Sequence, residues 1–196
     1  MKKKILFSVV ALALALVLLT ACTSYSSTLQ DISKLLKVDY SEVTLNVTTK
    51  TSDFTLKGIY TLTFAEGKTN VDYSFDRLND LSLDGENEDS YLTTVKGRAV
   101  VENGNVIEGD ASVELPQELD FSGISFKQAF FKNYKMTGAK FEADVTDAKG
   151  FTGNAGLICK NMHVTVLYSK ESLSKLTITY LSENGSDVSI TYLFTK

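Results

Sequence analysis

From residue 43 to about residue 115, apolar side chains recur at every second position, and that period of two restricts the chain to β-strands. The pattern is fullest in Phe54, Leu56, Gly58, Tyr60, Leu62 and Phe64, with Thr55, Lys57, Thr61 and Thr63 on the opposite parity. Alternate side chains point to opposite faces of a strand, so this segment offers one face to a core and one to water. It is also longer than the ~5–6 residues of a usual strand. Ala65-Glu66-Gly67-Lys68 turns it back into Val71, Tyr73 and Phe75. Asn103-Gly104 and Asn184-Gly185 mark two further hairpins, because such pairs accept the positive φ that a tight turn needs. Turns this short leave no room for parallel crossovers, so the strands must pair antiparallel.

The same alternation continues through Val43, Leu45 and Val47, through Tyr91, Val95, Ala99 and Val101, and through Ile107, Ala111, Val113 and Leu115. Pro116 ends this first sheet region. Strands resume with Phe141, Ala143 and Val145, then Met162, Val164, Val166 and Tyr168, and close with Leu176, Ile178, Tyr180 and Val188, Ile190, Tyr192, Phe194. Phe54, Tyr60, Leu62, Phe64, Val164, Val166, Ile178, Tyr180, Ile190 and Tyr192 are therefore expected to face inward. Gly58, Gly97 and Gly109 interrupt strands and suggest bends or close approaches in a curved sheet. Two helices are expected. Leu29, Ile32, Leu35 and Leu36 share one face after a Thr28 N-cap. Phe126, Ala129, Phe130 and Tyr134 share another, in a helical insertion near 122–135, with Ser122 or Ser125 as cap and Phe131 off the face. A Gly-rich stretch, Gly150, Gly153 and Gly156, lies between the strands of Phe141–Val145 and Met162–Tyr168. The fold class is mainly β (α+β), a single curved, half-barrel-like antiparallel sheet of about nine or ten strands with two short helices, formed by one domain over 28–196.

The N-terminus carries a different signal. Met1-Lys2-Lys3-Lys4 precedes an apolar run from Ile5 to Leu19, and the segment closes on Leu19-Thr20-Ala21-Cys22. A basic region, an apolar region and a small residue at the cut make a secretory signal. The Leu, small residue, Ala, Cys ending resembles the lipobox of bacterial lipoproteins. That resemblance implies removal of residues 1–21, acyl chains on the sulfur and amine of Cys22, and a polar tether over 22–27. Two alternatives need fewer features: a plain signal peptide asks only for a small-x-small site, and a membrane span asks for roughly 20 apolar residues. One acyl chain binds a membrane only marginally, whereas two or three anchor it stably. The expected address is the outer face of a cytoplasmic membrane or, in a two-membrane bacterium, the outer membrane. Thr23 stands where an Asp would resemble an inner-membrane retention signal.

Charge narrows the partners. The chain carries net −4, and its first 21 residues hold three lysines and no acid, so the remainder stands at −7. An acidic domain without a basic patch speaks against nucleic acid and against electrostatic docking on anionic lipid. Membrane contact is expected through the N-terminal lipid. Cys22 and Cys159 are the only cysteines. With Cys22 acylated, Cys159 lacks a partner and reads as a small buried hydrophobe.

Catalytic chemistry finds little footing, so no enzyme, cofactor or metal is expected. His163 is the only histidine and lies on the polar parity of a strand. There is no Gly-x-Ser-x-Gly turn, no phosphate loop and no set of zinc ligands. Asp80, Asp84, Glu86, Glu88 and Asp89 form an acidic loop whose start mimics a calcium loop, but Tyr91 occupies the place of its bidentate Glu. The chain has no Trp, the usual platform for sugars.

The layout as a whole is an N-terminal helix after a tether, long meandering strands, a mid-chain insertion and a final Leu-x-Ile-x-Tyr, turn, Val-x-Ile-x-Tyr-x-Phe. It resembles the periplasmic lipoprotein-carrier half-barrels and the lipid-binding lipoproteins of mycobacteria, which hold acyl chains between a curved sheet and helices. That resemblance implies a non-enzymatic lipoprotein that binds an apolar ligand or a lipid-bearing partner. Phe126, Phe130 and Phe131 are the expected ligand contacts. A tethered interaction or surface-structural module with a fully packed core is the alternative.

Overall fold

A computed structural model describes residues 25–79, 91–102, 105–110 and 115–196. The lipobox with Cys22, the acidic residues 80–89, the Asn103-Gly104 turn, and Ala111 and Val113 lie outside the described residues.

Helix α1 covers residues 25–35. The strands are β1 (Glu42–Lys50), β2 (Thr55–Ala65), β3 (Lys68–Asn79), β4 (Tyr91–Glu102), β5 (Asn105–Glu108), β6 (Phe131–Thr137), β7 (Lys140–Val145), β8 (Cys159–Tyr168), β9 (Leu173–Ser182) and β10 (Asp187–Thr195), with helix α2 (Ala148–Thr152) between β7 and β8. All ten join one open antiparallel sheet in the order β5-β4-β3-β2-β1-β10-β9-β8-β7-β6. The two central strands are thus the first and last of the chain. Val43, Leu45 and Val47 stand opposite Phe194, Tyr192 and Ile190, which joins two five-strand meanders along their inward-facing residues.

Because β5 and β6 are consecutive in sequence yet form opposite edges, the chain between them must traverse the sheet. Ten strands at ~4.8 Å spacing make a sheet roughly 45 Å across. A chain of the length of residues 109–130 reaches up to about 75 Å extended. Residues 115–130 are this strap. Leu119, Phe121 and Ile124 pack on the core, and the Phe121 ring meets Tyr192 and Phe194 of β10 edge-on at 5.9 and 5.6 Å. Further along, Phe126 meets Phe141 of β7 and Phe151 of α2.

Helix α1 lies on the same inner face and buries Tyr25, Leu29, Ile32 and Leu35, one stripe at helical spacing. Its last turn is closed by Tyr40, whose hydroxyl donates to the Leu35 carbonyl at 2.8 Å and accepts from the Leu173 amide at 2.9 Å. One buried phenol thereby ties the helix end to β9. Tyr25, Ser26 and Ser27, expected in a polar tether, are already helical, and Thr28 lies inside the helix instead of capping it. Tyr25, the first described residue, is already in core contact: its ring stacks on Tyr134 of β6 at 3.6 Å.

The helical insertion expected near 122–135 is not an α-helix. Only a single 3-10 turn, Gln128–Phe130, forms there, and Phe131 begins β6. Phe131 is 8% exposed, stacked on Phe126, whereas Tyr134, placed on the apolar helix face by the sequence pattern, is 42% exposed. Pairing of β6 with β7 outweighs the local helical spacing. The second helix is α2, in the glycine-rich stretch. Asp147 caps it by accepting from the Gly150 amide at 2.9 Å, and Gly153 ends it at φ 73°.

The strand glycines make room for rings. A side chain at Gly58 would come within 2.8 Å of the Tyr60 ring, and Gly97, paired with Tyr73, lies under the Tyr73 phenol. Aromatic rings laid over strand glycines are a recognised way of covering the bared backbone.

Candidate functional site: two clefts beside the strap

Most of the inner face is filled. Around β7 and α2, Phe126, Phe131, Phe141 and Phe151 pack ring against ring at 5.4–6.2 Å, in edge-on and stacked pairs. The three expected ligand contacts belong to this packed region or its margin. Phe126 is 5% exposed, and Phe130 is partly buried with the Lys127 ammonium 5.5 Å over its ring. None of Phe126, Phe130 and Phe131 lines either of the clefts described below.

Of the ten residues expected inward, Phe54, Phe64 and Tyr180 remain incompletely covered, and the last two each mark a cleft. Phe64 near the end of β2 is 39% exposed, and Tyr180 in β9 is partly buried. Phe64 belongs to a wide cleft of about 730 Å³ between β2–β5 and the first part of the strap. Its walls are aliphatic and aromatic: Leu62 and Phe64 from β2, Val71 from β3, Val101 from β4, and Leu119 and Phe121 from the strap. The sheet wall exists because Leu62, Val71, Ala99 and Val101 share inner parity through the β2–β3 and β3–β4 registers. The strap stands off that wall instead of collapsing onto it.

Tyr180 lines a narrower cleft of about 440 Å³ on the other side of the strap. Its floor is Ile178 and Tyr180 of β9 with Ile190 and Tyr192 of β10. Gln117, Glu118 and Asp120 of the strap form one rim, and Thr152 to Leu157, after α2, form the other. Tyr192 fixes the strap by donating its hydroxyl to the Glu118 carbonyl at 2.9 Å. The Asn154 side-chain amide donates from Nδ2 to the Gln117 side-chain oxygen Oε1 across the rims at 3.5 Å. Backbone contact holds the far end of the strap: the Ser125 amide donates to the Phe151 carbonyl at 2.8 Å, and a side chain at Gly153 would press within 2.9 Å of the Gly123 oxygen.

The electrostatics of this cleft are one-sided. Burial, reinforced by the Glu118 carboxylate and by Cys159, pushes the Tyr180 phenol up to about 12. Burial, with Glu118, Asp120 and Tyr180, raises Tyr192 further still. Both phenols therefore stay protonated at neutral pH and act as neutral hydrogen-bonding groups. No Lys, Arg or His is among the residues that line either cleft.

Elsewhere, His163 sits on the outer face with its Nδ1 3.0 Å from Asp144 Oδ1, while Asn133 donates to Asp144 Oδ2 at 2.8 Å. These two bonds, the histidine's first, hold the Asp144 carboxyl below its ordinary value. The sequence reading missed the pair, which the β7–β8 register creates. It faces away from both clefts. Cys159 packs against the core, and burial raises its thiol, the opposite of what an activated nucleophile needs. Among the described residues, no three His, Cys, Asp or Glu side chains gather where they could hold a metal ion, and no helix is long and apolar enough to cross a membrane.

The strap residues themselves were the other omission. Leu119, Phe121 and Ile124 follow Pro116 closely without strand or helical periodicity, and that irregular apolar run was the available signal.

Compared with known proteins, the sequence matches no family model and no curated protein. Among solved structures it is similar to the dehydratase domain from the terminal module of the rifamycin polyketide synthase, at 13% identity and a TM-score of 0.20, covering 79% of this chain and 74% of that one. It is also similar to an N-terminal dehydratase from the difficidin assembly line, at 12% identity and a TM-score of 0.15, covering 87% and 84%. Likeness at these scores carries no argument about function.

Proposed function

We propose that this chain is an exported, non-enzymatic lipoprotein, anchored by acyl chains on Cys22, whose sheet and strap hold an apolar ligand or the acyl part of a lipid-bearing partner. Its place is the outer face of the cytoplasmic membrane or, in a two-membrane bacterium, the outer membrane. The observation that carries the reading is the wide cleft. Packed interiors leave few voids larger than a water molecule. Ligand sites occupy ~300–1,000 Å³ and are mainly apolar. A cleft of about 730 Å³ walled by Leu62, Phe64, Val71, Val101, Leu119 and Phe121 has the size and chemistry of the second kind.

Expression of the whole chain in a bacterium tests both halves. A fatty-acid probe should label the protein and the Cys22→Ala variant should lose that label and leave the membrane fraction. Native mass spectrometry should find lipid bound to the purified protein in addition to its own acylation. Unchanged labelling of the Cys22 variant would refute the anchor. Lipid-free protein throughout would refute the ligand and favour the tethered interaction module.

A further inference from the structure

The two clefts differ in chemistry yet touch. Gln117 and Asp120 line both, so the strap divides one trough into an aliphatic compartment and a polar one. In the polar compartment the side chains nearest the divide are the carboxylates of Glu118 and Asp120 and the amides of Gln117 and Asn154, above a floor that includes Tyr180. Carboxylates accept hydrogen bonds only, amides both donate and accept, and hydroxyls of a ligand can satisfy either. A hydroxyl donating to a carboxylate makes the shorter, charge-assisted kind of bond.

We infer that the trough takes a single amphiphile, with its acyl chain in the wide cleft and an uncharged, hydroxyl-bearing headgroup in the narrow one beside Glu118, Asp120, Gln117 and Asn154. This rests on the apolar-ligand reading above and adds the class of headgroup. An anionic headgroup, phosphate or carboxylate, would meet two carboxylates with no cation among the lining residues. Like charges at close range repel, so such headgroups bind less well. A quaternary ammonium would satisfy the charge but has no hydrogen to donate to the carboxylate oxygens, of which Asp120 Oδ1 already accepts from the Ser122 amide at 2.9 Å. A polyol headgroup, whether glycerol or sugar, can donate to the remaining carboxylate oxygens and exchange hydrogen bonds with the amides, which otherwise bond each other across the rims.

The test uses the whole chain in a short oxyethylene detergent, stripped of copurified lipid, and native mass spectrometry of competition among palmitoyl or hexadecyl probes. These are 1-monopalmitoylglycerol, hexadecyl glucoside, palmitoyl lysophosphatidate, palmitate and hexadecyltrimethylammonium. Either polyol probe should outcompete lysophosphatidate and palmitate by about tenfold or more, and which polyol binds more tightly separates a glycerol headgroup from a sugar. The double variant Glu118→Gln, Asp120→Asn keeps the shape of both side chains and should shrink that preference severalfold without abolishing binding. Equal binding of all five probes, or preference for the anionic or cationic probes, would overturn the headgroup inference and leave the apolar cleft standing. Binding of none would bring down both. An unchanged preference in the double variant would likewise overturn the role given to the carboxylates.

Discussion

Tyr40 shows how much one side chain can settle. Its hydroxyl donates to the carbonyl of Leu35, which also accepts from the Val38 amide at 3.3 Å, and accepts from the amide of Leu173. Removing the hydroxyl leaves the buried Leu173 amide without that acceptor, which costs about 1–3 kcal/mol for a buried group. Tyr40→Phe should therefore lower unfolding stability in urea by about that amount while keeping the packing of the ring against Phe194. Stability equal to the parent's would show the bridge to be dispensable. Residues of this kind were only partly legible. Of the ten residues that parity places inward, Tyr60, Leu62, Val164, Val166, Ile178, Ile190 and Tyr192 are buried. Parity cannot say which inward residues will be covered. Phe54, Phe64 and Tyr180 remain partly open, and for Phe64 and Tyr180 the reason is where the strap lies.

Among elements, most strands and the Asn184-Gly185 hairpin were legible, whereas β6 and the connections were not. The Asn184-Gly185 turn joins β9 to β10 with Gly185 at φ 85°, as its residue types demand. The stretch 122–135 misled because Phe126, Phe130 and Tyr134 carry helical spacing, while an edge of the sheet was available to pair with it. The glycine-rich stretch received no helical reading, although Asp147 and Gly153 are an N-cap and a C-cap. This short helix clamps the strap. Gly153 is held at φ 73° with the Gly123 backbone against it, so Gly153→Ala adds both left-handed strain of ~1 kcal/mol and a clash. The expected result is a strap that opens more readily. Proteolytic cleavage and amide exchange within 115–125 should accelerate, while β8–β10 stay protected. Equal acceleration across the sheet would mean that the strap has no independent fastening.

At the scale of the whole molecule, the order of strands explains the site. Placing the first and last strands at the centre sends consecutive strands β5 and β6 to opposite edges, and the chain joining them has to cross the inner face. Over β7 and α2 that crossing packs down as a cluster of phenylalanines; over β2–β5 it leaves the aliphatic cleft. The antiparallel direction of the strands and most of their number could be read from alternation, β6 excepted. Their spatial order could not, since pairing of β1 with β10 joins residues from opposite ends of the domain. The central claim is that an acyl chain enters this cleft on the inner face. The chain contains no tryptophan, so a single introduced one reports without background. Phe64→Trp places it in the cleft, and Ile59→Trp places it on the outer face of the same strand, where Ile59 is 49% exposed. The decisive measurement is fluorescence quenching of both variants by monoacylglycerol brominated on its acyl chain. The account predicts saturable quenching of the Phe64 variant and none beyond the collisional background in the Ile59 variant; equal quenching of the two, or none in either, would contradict it.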